Sequence, residues 1–299
     1  MTRAILEVCF GPQAGRKIVL DPGSRVSVGR TDRADIEIPG DAQMSGSHFE
    51  LAWDGATCLL RDLGSVTGTL VGGLRVEEAE VPHGGWIRAG LTDFLVHIED
   101  HTPPPLDEED APMETQEELE VKERALVALL ERAGEQKLYA VVDPAREERL
   151  LVLLRESVDR SQSLYEGVEG LAMAEVAPYL VFIAPNSTLL ARLIMEGWTK
   201  RWGIYVVSDD SFAEVRRHFR RILMVEDENG QALYFRFYDP RVLAAFLPTC
   251  TDQQRGAVFG DIEAFLVEGP RGELVELPRE APAPDHANPM RPFMGSALS

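Results

Sequence analysis

The chain has 299 residues and a formal net charge of −20, so it is long enough for two domains of ordinary size. Such an acidic balance disfavours a general nucleic-acid-binding protein, because phosphate contacts need clustered lysine and arginine. No run of about 18 apolar residues occurs and the segment Met1–Glu7 lacks a long apolar core, so we predict neither a membrane span nor a signal peptide.

Residues 3–99 are predicted to form short strands separated by turns. Dipeptides such as Gly11-Pro12 and Gly84-Gly85 mark the turns. Many short strands without a long helical pattern are typical of a β-sandwich, so we expect an all-β domain over residues 1–100. The predicted strands are Ala4–Phe10, Lys17–Leu20, Val26–Val28, Ile36–Ile38, Phe49–Trp53, Cys58–Arg61 and Phe94–Ile98.

The stretch 101–120 concentrates the negative charge. It contains eight acidic residues, no lysine or arginine, and four prolines. Such a segment cannot bury enough apolar surface to offset the entropy lost on ordering it. We therefore predict an acidic, proline-rich linker over residues 101–116.

From Glu117 onwards the hydrophobic pattern alternates between helical and strand periods. Ser211 and Glu214 form a capping-box pattern that opens one of the helices. Strands that alternate with helices predict an α/β or α+β domain over residues 117–270. The Pro-, Gly- and Ala-rich residues 271–299 predict an irregular or loosely docked tail. The predicted elements are a helix over 117–134, strands Leu138–Val142, Tyr179–Ile183, Ile204–Val207 and Ala232–Tyr238, and helices from Asn186 or Ser187 to Trp202 and from Ser211 to Met224.

Three motifs in the first hundred residues carry a family resemblance. They are Gly29-Arg30, then Ser45-Gly46-Ser47-His48, then Asp62-Leu63-Gly64-Ser65-Val66-Thr67-Gly68-Thr69-Leu70-Val71. Their order and spacing resemble those of a forkhead-associated (FHA) domain. The resemblance implies an eleven-strand β-sandwich whose loops at one end bind phosphothreonine peptides.

The residues of these motifs suit that ligand. A phosphothreonine dianion needs a fixed cation and several hydrogen-bond donors at a loop tip. Arg30 offers a guanidinium, Ser45 a hydroxyl, and the loop near Gly46 and Thr67 offers backbone N–H groups. The alternatives are a solvated surface role for Arg30 and a domain that keeps the fold but binds an unphosphorylated partner.

Other residues of the motifs are assigned structural roles. Gly29 and Gly68 are expected to form turns, and His48 is expected to hydrogen-bond beneath the loop rather than to act as a base. Two positions depart from the family pattern. Gly46 stands where the family commonly has Arg or Asn, and Thr67 stands where it usually has Asn.

Four segments of the second half carry a second resemblance. They are Leu138–Asp143, Leu164–Gly167, Ala177–Val181 and Phe235–Leu243, the last reading Phe-Arg-Phe-Tyr-Asp-Pro-Arg-Val-Leu. Together they resemble the adaptor, or effector-chaperone, domain of type VI secretion systems, long catalogued as a domain of unknown function. The resemblance implies a non-enzymatic protein that binds a toxic effector and helps attach it to the VgrG-type spike-tip protein.

The string Phe235–Leu243 contains candidate partner-binding residues. Alternation along a strand would place the two phenylalanines on one face, and Arg236 and Tyr238 on the other. One interpretation is a buried core motif with a neutralised Arg–Asp pair. The other is a groove for the effector, since Tyr and Arg suit interface anchors, lined by Arg236, Tyr238, Asp239 and Arg241.

The predicted helix after Ser211 carries a second candidate surface, which we call the basic ridge. Its four arginines form two pairs at i, i+4 spacing, which lie on adjacent turns of a helix. The ridge is either a solvated face, a docking site for an acidic partner, or a contact for the acidic linker. Its members are Arg216, Arg217, Arg220 and Arg221.

The sequence offers no catalytic constellation. It contains no phosphate-binding G-x-x-x-x-G-K-S/T loop, no H-E-x-x-H, no C-x-x-C and no G-x-S-x-G motif. We therefore predict no catalytic residue, no cofactor and no metal. The three cysteines are odd in number and lie on apolar stretches, which favours buried free thiols in a reducing cytoplasm.

These observations lead to one leading hypothesis and two others. The leading hypothesis is a cytoplasmic, non-enzymatic type VI secretion adaptor that binds an effector toxin and a VgrG-type spike protein, with a phosphothreonine protein as a further partner. No nucleic acid or membrane is expected as a partner. The alternative is a signalling scaffold that reads phosphothreonine. An enzyme acting on a small molecule ranks last.

Overall fold

The computed structural model describes residues 2–105, 114–165, 173, 175–185, 187–226 and 231–279. The chain divides into two compact units. The first comprises 1–104 with the short segment 155–158, and the second comprises 105–154 and 159–299. Residues 106–113 of the predicted linker and 280–299 of the predicted tail lie outside the described residues.

The first unit is a sandwich of two sheets. One sheet has the strand order β2-β1-β11-β10-β7-β8 and the other has the order β4-β3-β5-β6-β9. The eleven-strand sandwich implied by the resemblance is thereby confirmed. The strands are β1 (Ala4–Phe10), β2 (Lys17–Leu20), β3 (Ser24–Gly29), β4 (Ile36–Glu37), β5 (Phe49–Trp53), β6 (Cys58–Asp62), β7 (Thr69–Val71), β8 (Leu74–Val76), β9 (Glu78–Glu80), β10 (Gly85–Ala89) and β11 (Thr92–Ile98).

The core of the first unit follows from strand alternation. In β5 the side chains of Phe49, Leu51 and Trp53 are buried, whereas those between them are half-buried. Phe49 meets Phe94 of β11 edge to face, with ring centroids 5.5 Å apart. Because β5 and β11 belong to different sheets, this pair joins the two layers.

The second unit is built on a six-stranded sheet with the order β13-β14-β12-β15-β18-β19. Every described pairing in it is antiparallel, so of the two predicted classes the structure is α+β. The strands are β12 (Leu138–Val142), β13 (Ser161–Ser163), β14 (Tyr179–Ile183), β15 (Gly203–Val207), β18 (Ala264–Glu268) and β19 (Leu274–Pro278). A separate hairpin is formed by β16 (Met224–Glu226) and β17 (Ala232–Tyr234).

Helices cover both faces of this sheet, which explains why β12 is an unbroken apolar run. Leu138 and Ala140 pack with the first three helices, whereas Tyr139 and Val141 pack with the last three. The helices are α1 (Gln116–Glu135), α2 (Arg149–Arg155), α3 (Thr188–Gly197), α4 (Phe212–Ile222), α5 (Pro240–Phe246) and α6 (Asp252–Phe259). Short 3-10 turns follow α3 (Trp198–Lys200) and α5 (Leu247–Thr249).

The helix starts agree with the capping patterns. The Ser211 side chain accepts from the Glu214 N–H, and Glu214 reaches back to Ser211, so the predicted capping box is confirmed. Ser187 caps α3. The prediction that this helix continues to Trp202 is wrong, because α3 ends at Gly197, where a Cβ would lie 2.3 Å from the Trp202 ring.

Two further predictions need correction. Ala232–Tyr238 is not one strand: β17 ends at Tyr234, and a turn follows in which the Asp239 N–H donates to the Arg236 carbonyl at 3.0 Å. Leu274–Pro278 is not irregular, because it pairs with β18 as an edge strand of the sheet.

The three cysteines are all free. Cys58 is buried as expected, and desolvation raises its pKa to about 12. Cys250 is half-buried with a pKa raised to about 11, again by desolvation. Cys9 is exposed, so the expectation of burial is wrong for it.

We predict that Glu268→Gln makes the second unit more stable at neutral and alkaline pH. Glu268 ends β18 and lines a small cleft with Trp198, Trp202 and Tyr205. Desolvation there raises its pKa from 4.5 to about 7, against the opposing pull of Arg201. The folded state therefore binds this proton more tightly than the unfolded state. The free energy that this tighter proton binding contributes to folding is fully present below about pH 4.5 and is lost as the pH rises through about 7.

Urea unfolding near pH 5 and near pH 8 checks this prediction. The wild type should lose more stability between the two conditions than Glu268→Gln does. Glu263→Gln, at an exposed glutamate just before β18, is the matched control. Equal pH dependence in all three proteins would contradict the prediction.

Candidate functional sites

The loop end of the first unit brings the first two motifs together. The Arg30 N–H donates to the Ser45 carbonyl at 2.9 Å, and the Thr31 N–H donates to the Gly46 carbonyl at 3.3 Å. Gly29 permits this approach, because a Cβ at that position would lie 2.2 Å from the Gly46 oxygen. The backbone therefore places the Arg30 side chain beside the Ser45–Gly46 loop.

His48 lies fully buried beneath the loops, as the sequence led us to expect. The Ser45 N–H donates to His48 Nδ1 at 3.0 Å, so Nδ1 carries no proton and Nε2 is the donor to the Gly68 carbonyl, 3.2 Å away. Desolvation lowers the pKa of this imidazole and keeps it neutral. His48 thus ties the second motif to the third.

Side chains of the loops make further cross-links. The Ser45 hydroxyl oxygen accepts from the Val66 N–H at 3.0 Å, and the Thr67 hydroxyl donates to the Gln43 carbonyl at 3.2 Å. The Ser45 hydroxyl hydrogen remains available to a ligand. Gly68 has a φ of +77°, and the Arg75 guanidinium lies directly over it.

Two aspartates anchor the loops, and sequence reasoning did not assign them a role. Asp62 accepts from the Ser65 N–H and from the Thr69 hydroxyl, and these hydrogen bonds hold its pKa below the ordinary value despite partial desolvation. Buried Asp41 accepts from the Met44 N–H and the Thr92 hydroxyl. The signal that could have found Asp62 is an Asp that starts a glycine- and serine-containing turn, here Asp62–Ser65.

The Arg30 side chain is exposed, and its guanidinium makes no hydrogen bond or ion pair with the residues that the structure describes. The loop end therefore combines an uncommitted cation, a serine hydroxyl and turn N–H groups on a rigid sandwich. This arrangement can bind a phosphate dianion through charge-assisted hydrogen bonds.

In the second unit, the string Phe235–Leu243 is partly core and partly surface. Phe237 stacks on Phe219 of α4, with ring centroids 4.9 Å apart. Tyr238 is also buried, so the expected alternation with Tyr238 on the outer face is wrong. Asp239 is buried and caps α5 by accepting from the Arg241 N–H at 3.0 Å.

Arginines surround Asp239 and a second buried aspartate. Arg241 binds the Asp239 carboxylate through Nε and Nη2, at 3.1 and 2.8 Å, while Arg146 approaches it from the loop after β12. Arg236 donates to Asp143, whose side chain is 1% exposed. Three guanidiniums thus share two carboxylates, which leaves an excess positive charge.

The outer parts of this network face solvent. The side chains of Arg236 and Arg241 are 46% and 56% exposed, although each is fixed by a buried aspartate. The Arg236 guanidinium also lies 5.8 Å from the Tyr238 ring centroid. The Tyr238 and Tyr234 hydroxyls are 3.4 Å apart, which extends the polar surface towards the hairpin. We call Arg146, Arg236 and Arg241 the arginine cluster.

The basic ridge divides into two halves. Arg216 donates from Nε to the Ser163 carbonyl at 2.8 Å, and Arg220 donates from Nε to the Leu164 carbonyl at 3.2 Å. Arg217 and Arg221 are exposed, and among the described residues the Arg221 side chain makes only a long hydrogen bond of 3.4 Å to the Arg217 carbonyl. The structure thus assigns an intramolecular contact to one half and leaves Arg217 and Arg221 accessible.

No group of three potential metal-ligating side chains converges within the part of the chain that the structure describes. None of the described helices is long and apolar enough to cross a bilayer.

In comparisons with known proteins, part of each unit matches a domain-family model. Residues 26–90 match the FHA domain, and residues 138–257 match a domain of unknown function, DUF4123. The chain is 36% identical over 85 residues to the FHA domain-containing protein FhaA of Mycobacterium tuberculosis. That alignment spans 28% of this chain and 16% of FhaA, so the chain covers only a small part of that relative.

Solved FHA domains match the first unit. The FHA domain of CT664 from Chlamydia trachomatis is 28% identical, with 32% of this chain and 96% of that chain covered and a TM-score of 0.30. The FhaA FHA domain complexed with the intracellular domain of Rv3910 is 34% identical, with 31% and 99% covered and a TM-score of 0.29.

We predict that His48→Ala loosens both loops that the imidazole connects. The variant removes the acceptor of the Ser45 N–H and the donor to the Gly68 carbonyl in a buried place. Leaving two buried backbone groups unpaired should cost about 2–4 kcal/mol of stability in the first unit. Hydrogen–deuterium exchange should show faster exchange in peptides covering residues 43–48 and 66–70. His101→Ala, at an exposed histidine, is the control and should leave both peptides protected.

Proposed function

We propose that this chain, an FHA domain followed by a DUF4123 domain, is a non-enzymatic adaptor of a bacterial type VI secretion system. In this proposal the DUF4123 domain binds an effector toxin in the cytoplasm and helps to load it onto a VgrG-type spike protein. The FHA domain recruits a further protein through phosphothreonine. The observation that carries the proposal is the presence of both domains in one chain, each with exposed arginine side chains.

The first domain supports the phosphothreonine part. FHA domains are modules for phosphothreonine-dependent protein–protein interaction. Arg30 is exposed beside Ser45, on loops that His48 and Asp62 hold in place. A preorganised cation loses little side-chain freedom on binding, which favours a phosphate dianion over a neutral threonine.

The second domain supports the adaptor part. DUF4123 domains are linked in general to adaptors of type VI effectors. The exposed arginine cluster lies beside Tyr238 and Tyr234, and Arg and Tyr are enriched at the centres of protein interfaces. Because Asp143 and Asp239 fix Arg236 and Arg241, these guanidiniums are already ordered before a partner arrives.

We predict that Arg30→Ala abolishes phosphate-dependent peptide binding. The assay uses a degenerate peptide pool with a fixed central phosphothreonine and its threonine counterpart, titrated with the full chain by fluorescence polarisation. The wild type should prefer the phosphorylated pool, and Arg30→Ala should lose the preference. Arg25→Ala is the matched control, because Arg25 lies at the other end of β3 and is ion-paired with Glu50 at 2.8 Å.

Equal binding of both pools by the wild type would contradict the phosphothreonine part. The domain would then be an FHA fold that binds an unphosphorylated partner. Loss of preference in Arg25→Ala would also contradict the assigned site.

We predict that replacing both exposed arginines of the cluster, as Arg236→Gln/Arg241→Gln, weakens effector capture roughly tenfold. Glutamine keeps much of the side-chain length and removes the charge. The measurement is a pulldown with the full chain from a strain that has a type VI apparatus, with the effector and the VgrG-type protein quantified by mass spectrometry. Arg124→Gln/Arg271→Gln, at two exposed arginines of the same unit, is the charge-matched control.

A third arm, Arg217→Gln/Arg221→Gln, compares the accessible half of the basic ridge. A loss in this arm alone would move the docking site to α4. If neither an effector nor a VgrG-type protein is enriched over control by the wild type, the loading proposal is wrong. Retained phosphothreonine binding in that case would favour the alternative, a scaffold that reads phosphothreonine.

A further inference from the structure

The loop that carries Ser45 has no side chain at Gly46. Side chains of the loop between β3 and β4 occupy the space beside this glycine. A Cβ at Gly46 would lie 3.1 Å from the Thr31 hydroxyl oxygen and 3.8 Å from the Cδ atom of Arg33. Thr31 and Arg33 belong to the loop between β3 and β4, three residues of which separate Arg30 from Ala34. The stem of Arg33 therefore lies against the bare backbone of Gly46.

The loop that presents Arg33 is held at several points. The Ala34 N–H donates to the Thr31 carbonyl at 3.1 Å, and the Thr31 hydroxyl donates to the Gly46 carbonyl at 3.3 Å. Ala34 itself is buried, which anchors the turn in the sandwich. Arg33 consequently projects from a fixed turn that places its Cδ atom beside Gly46, three residues after Arg30.

The Arg33 guanidinium is not neutralised by the carboxylate two residues further on. Asp35 is committed to Ser27, whose N–H and hydroxyl donate to its carboxylate at 2.8 and 2.7 Å. These hydrogen bonds lower the pKa of Asp35 and keep it ionised. Like Arg30, Arg33 is exposed and makes no side-chain hydrogen bond or ion pair with any residue that the structure describes.

Two other arginines of the same unit are paired with carboxylates. Arg25 binds Glu50, and Arg88 binds Asp93 through both Nε and Nη2. Two uncommitted guanidiniums near one loop repel each other in the free protein. A ligand that carries two negative charges on one group relieves this repulsion while it gains hydrogen bonds from both.

We propose that Arg33 is the second cation for the phosphate held by Arg30, and that it reaches the phosphate across Gly46. This inference rests on the proposed phosphothreonine site of the first unit. Because Gly46 has no side chain to contact the phosphate, Arg33 of the β3–β4 loop makes that contact instead. The absence of a side chain at Gly46 is what leaves room for it.

The test uses the full chain and the two peptide pools described above. Arg33→Ala should weaken binding of the phosphothreonine pool about tenfold or more, because it removes a charge-assisted contact. Arg33→Lys should fall in between, since lysine keeps the charge but not the planar fork. Arg25→Ala removes the same charge at the far end of β3 and should bind like the wild type.

A rescue variant separates a phosphate contact from a role in folding. Gly46 does not adopt a positive φ, and the one tight contact of an added Cβ would be the Thr31 hydroxyl oxygen at 3.1 Å, which can give way by a rotation of that side chain. The double variant Arg33→Ala/Gly46→Arg returns a guanidinium from the opposite loop and should recover most of the lost affinity. A role of Arg33 in stability alone predicts no such recovery.

The outcomes distinguish the inference from the proposed function. In one outcome the wild type prefers the phosphorylated pool, Arg30→Ala loses that preference, and Arg33→Ala binds as tightly as Arg25→Ala. The role of Arg33 is then overturned, while the phosphothreonine site at Arg30 stands. If Arg33→Ala is weakened but the double variant recovers nothing, the phosphate contact is likewise overturned. If the wild type binds both pools equally, the proposed phosphothreonine function is wrong.

Discussion

Buried carboxylates fix the polar surfaces of both units. In the sandwich, Asp41 is buried and accepts hydrogen bonds from the Leu91 N–H and the Thr92 hydroxyl, which joins the loop before Ser45 to the turn before β11. In the second unit, Asp143 and Asp239 hold exposed arginines. Burial of a charge is unfavourable unless hydrogen bonds compensate it. The rigid placement of the functional loops depends on these compensated charges.

The same constraint explains how much of the candidate sites could be predicted from the sequence. Arg30, Ser45 and His48 were found because short motifs carry them and the turn chemistry is local. The partner of Arg216 could not be found in this way, since its guanidinium binds a backbone carbonyl 53 positions away in the chain. Arg33 was missed for a similar reason, because its proximity to Gly46 arises from pairing of β3 with β5 and not from a motif.

For the secondary structure as well, elements marked by a local sequence pattern were predicted and elements without one were missed. Strands with a clear apolar alternation, such as β5, were predicted within one residue. The strands β7, β8 and β9 were missed because each has only three residues, too few to establish a period, and β10 was missed as well. The string Phe235–Leu243 misled the prediction in the opposite sense, since its first four residues alternate as in a strand but follow β17 as a turn. There, the local hydrogen bond from the Asp239 N–H to the Arg236 carbonyl outweighs strand propensity.

The net charge of −20 makes anion binding depend on the local arrangement of arginines. An acidic protein repels anionic ligands at long range, so an anion binds only where nearby guanidiniums outweigh the average field. Phosphothreonine gains its second charge with a pKa near 6, so the two cations of the proposed site would select the dianion over the monoanion and over threonine. Because the Debye length is about 8 Å at physiological salt, distant acids are screened while direct guanidinium–phosphate contacts persist. In the proposed site, specificity for phosphate arises from Arg30 and Arg33, which have no carboxylate partner among the described residues, whereas Arg25 pairs with Glu50.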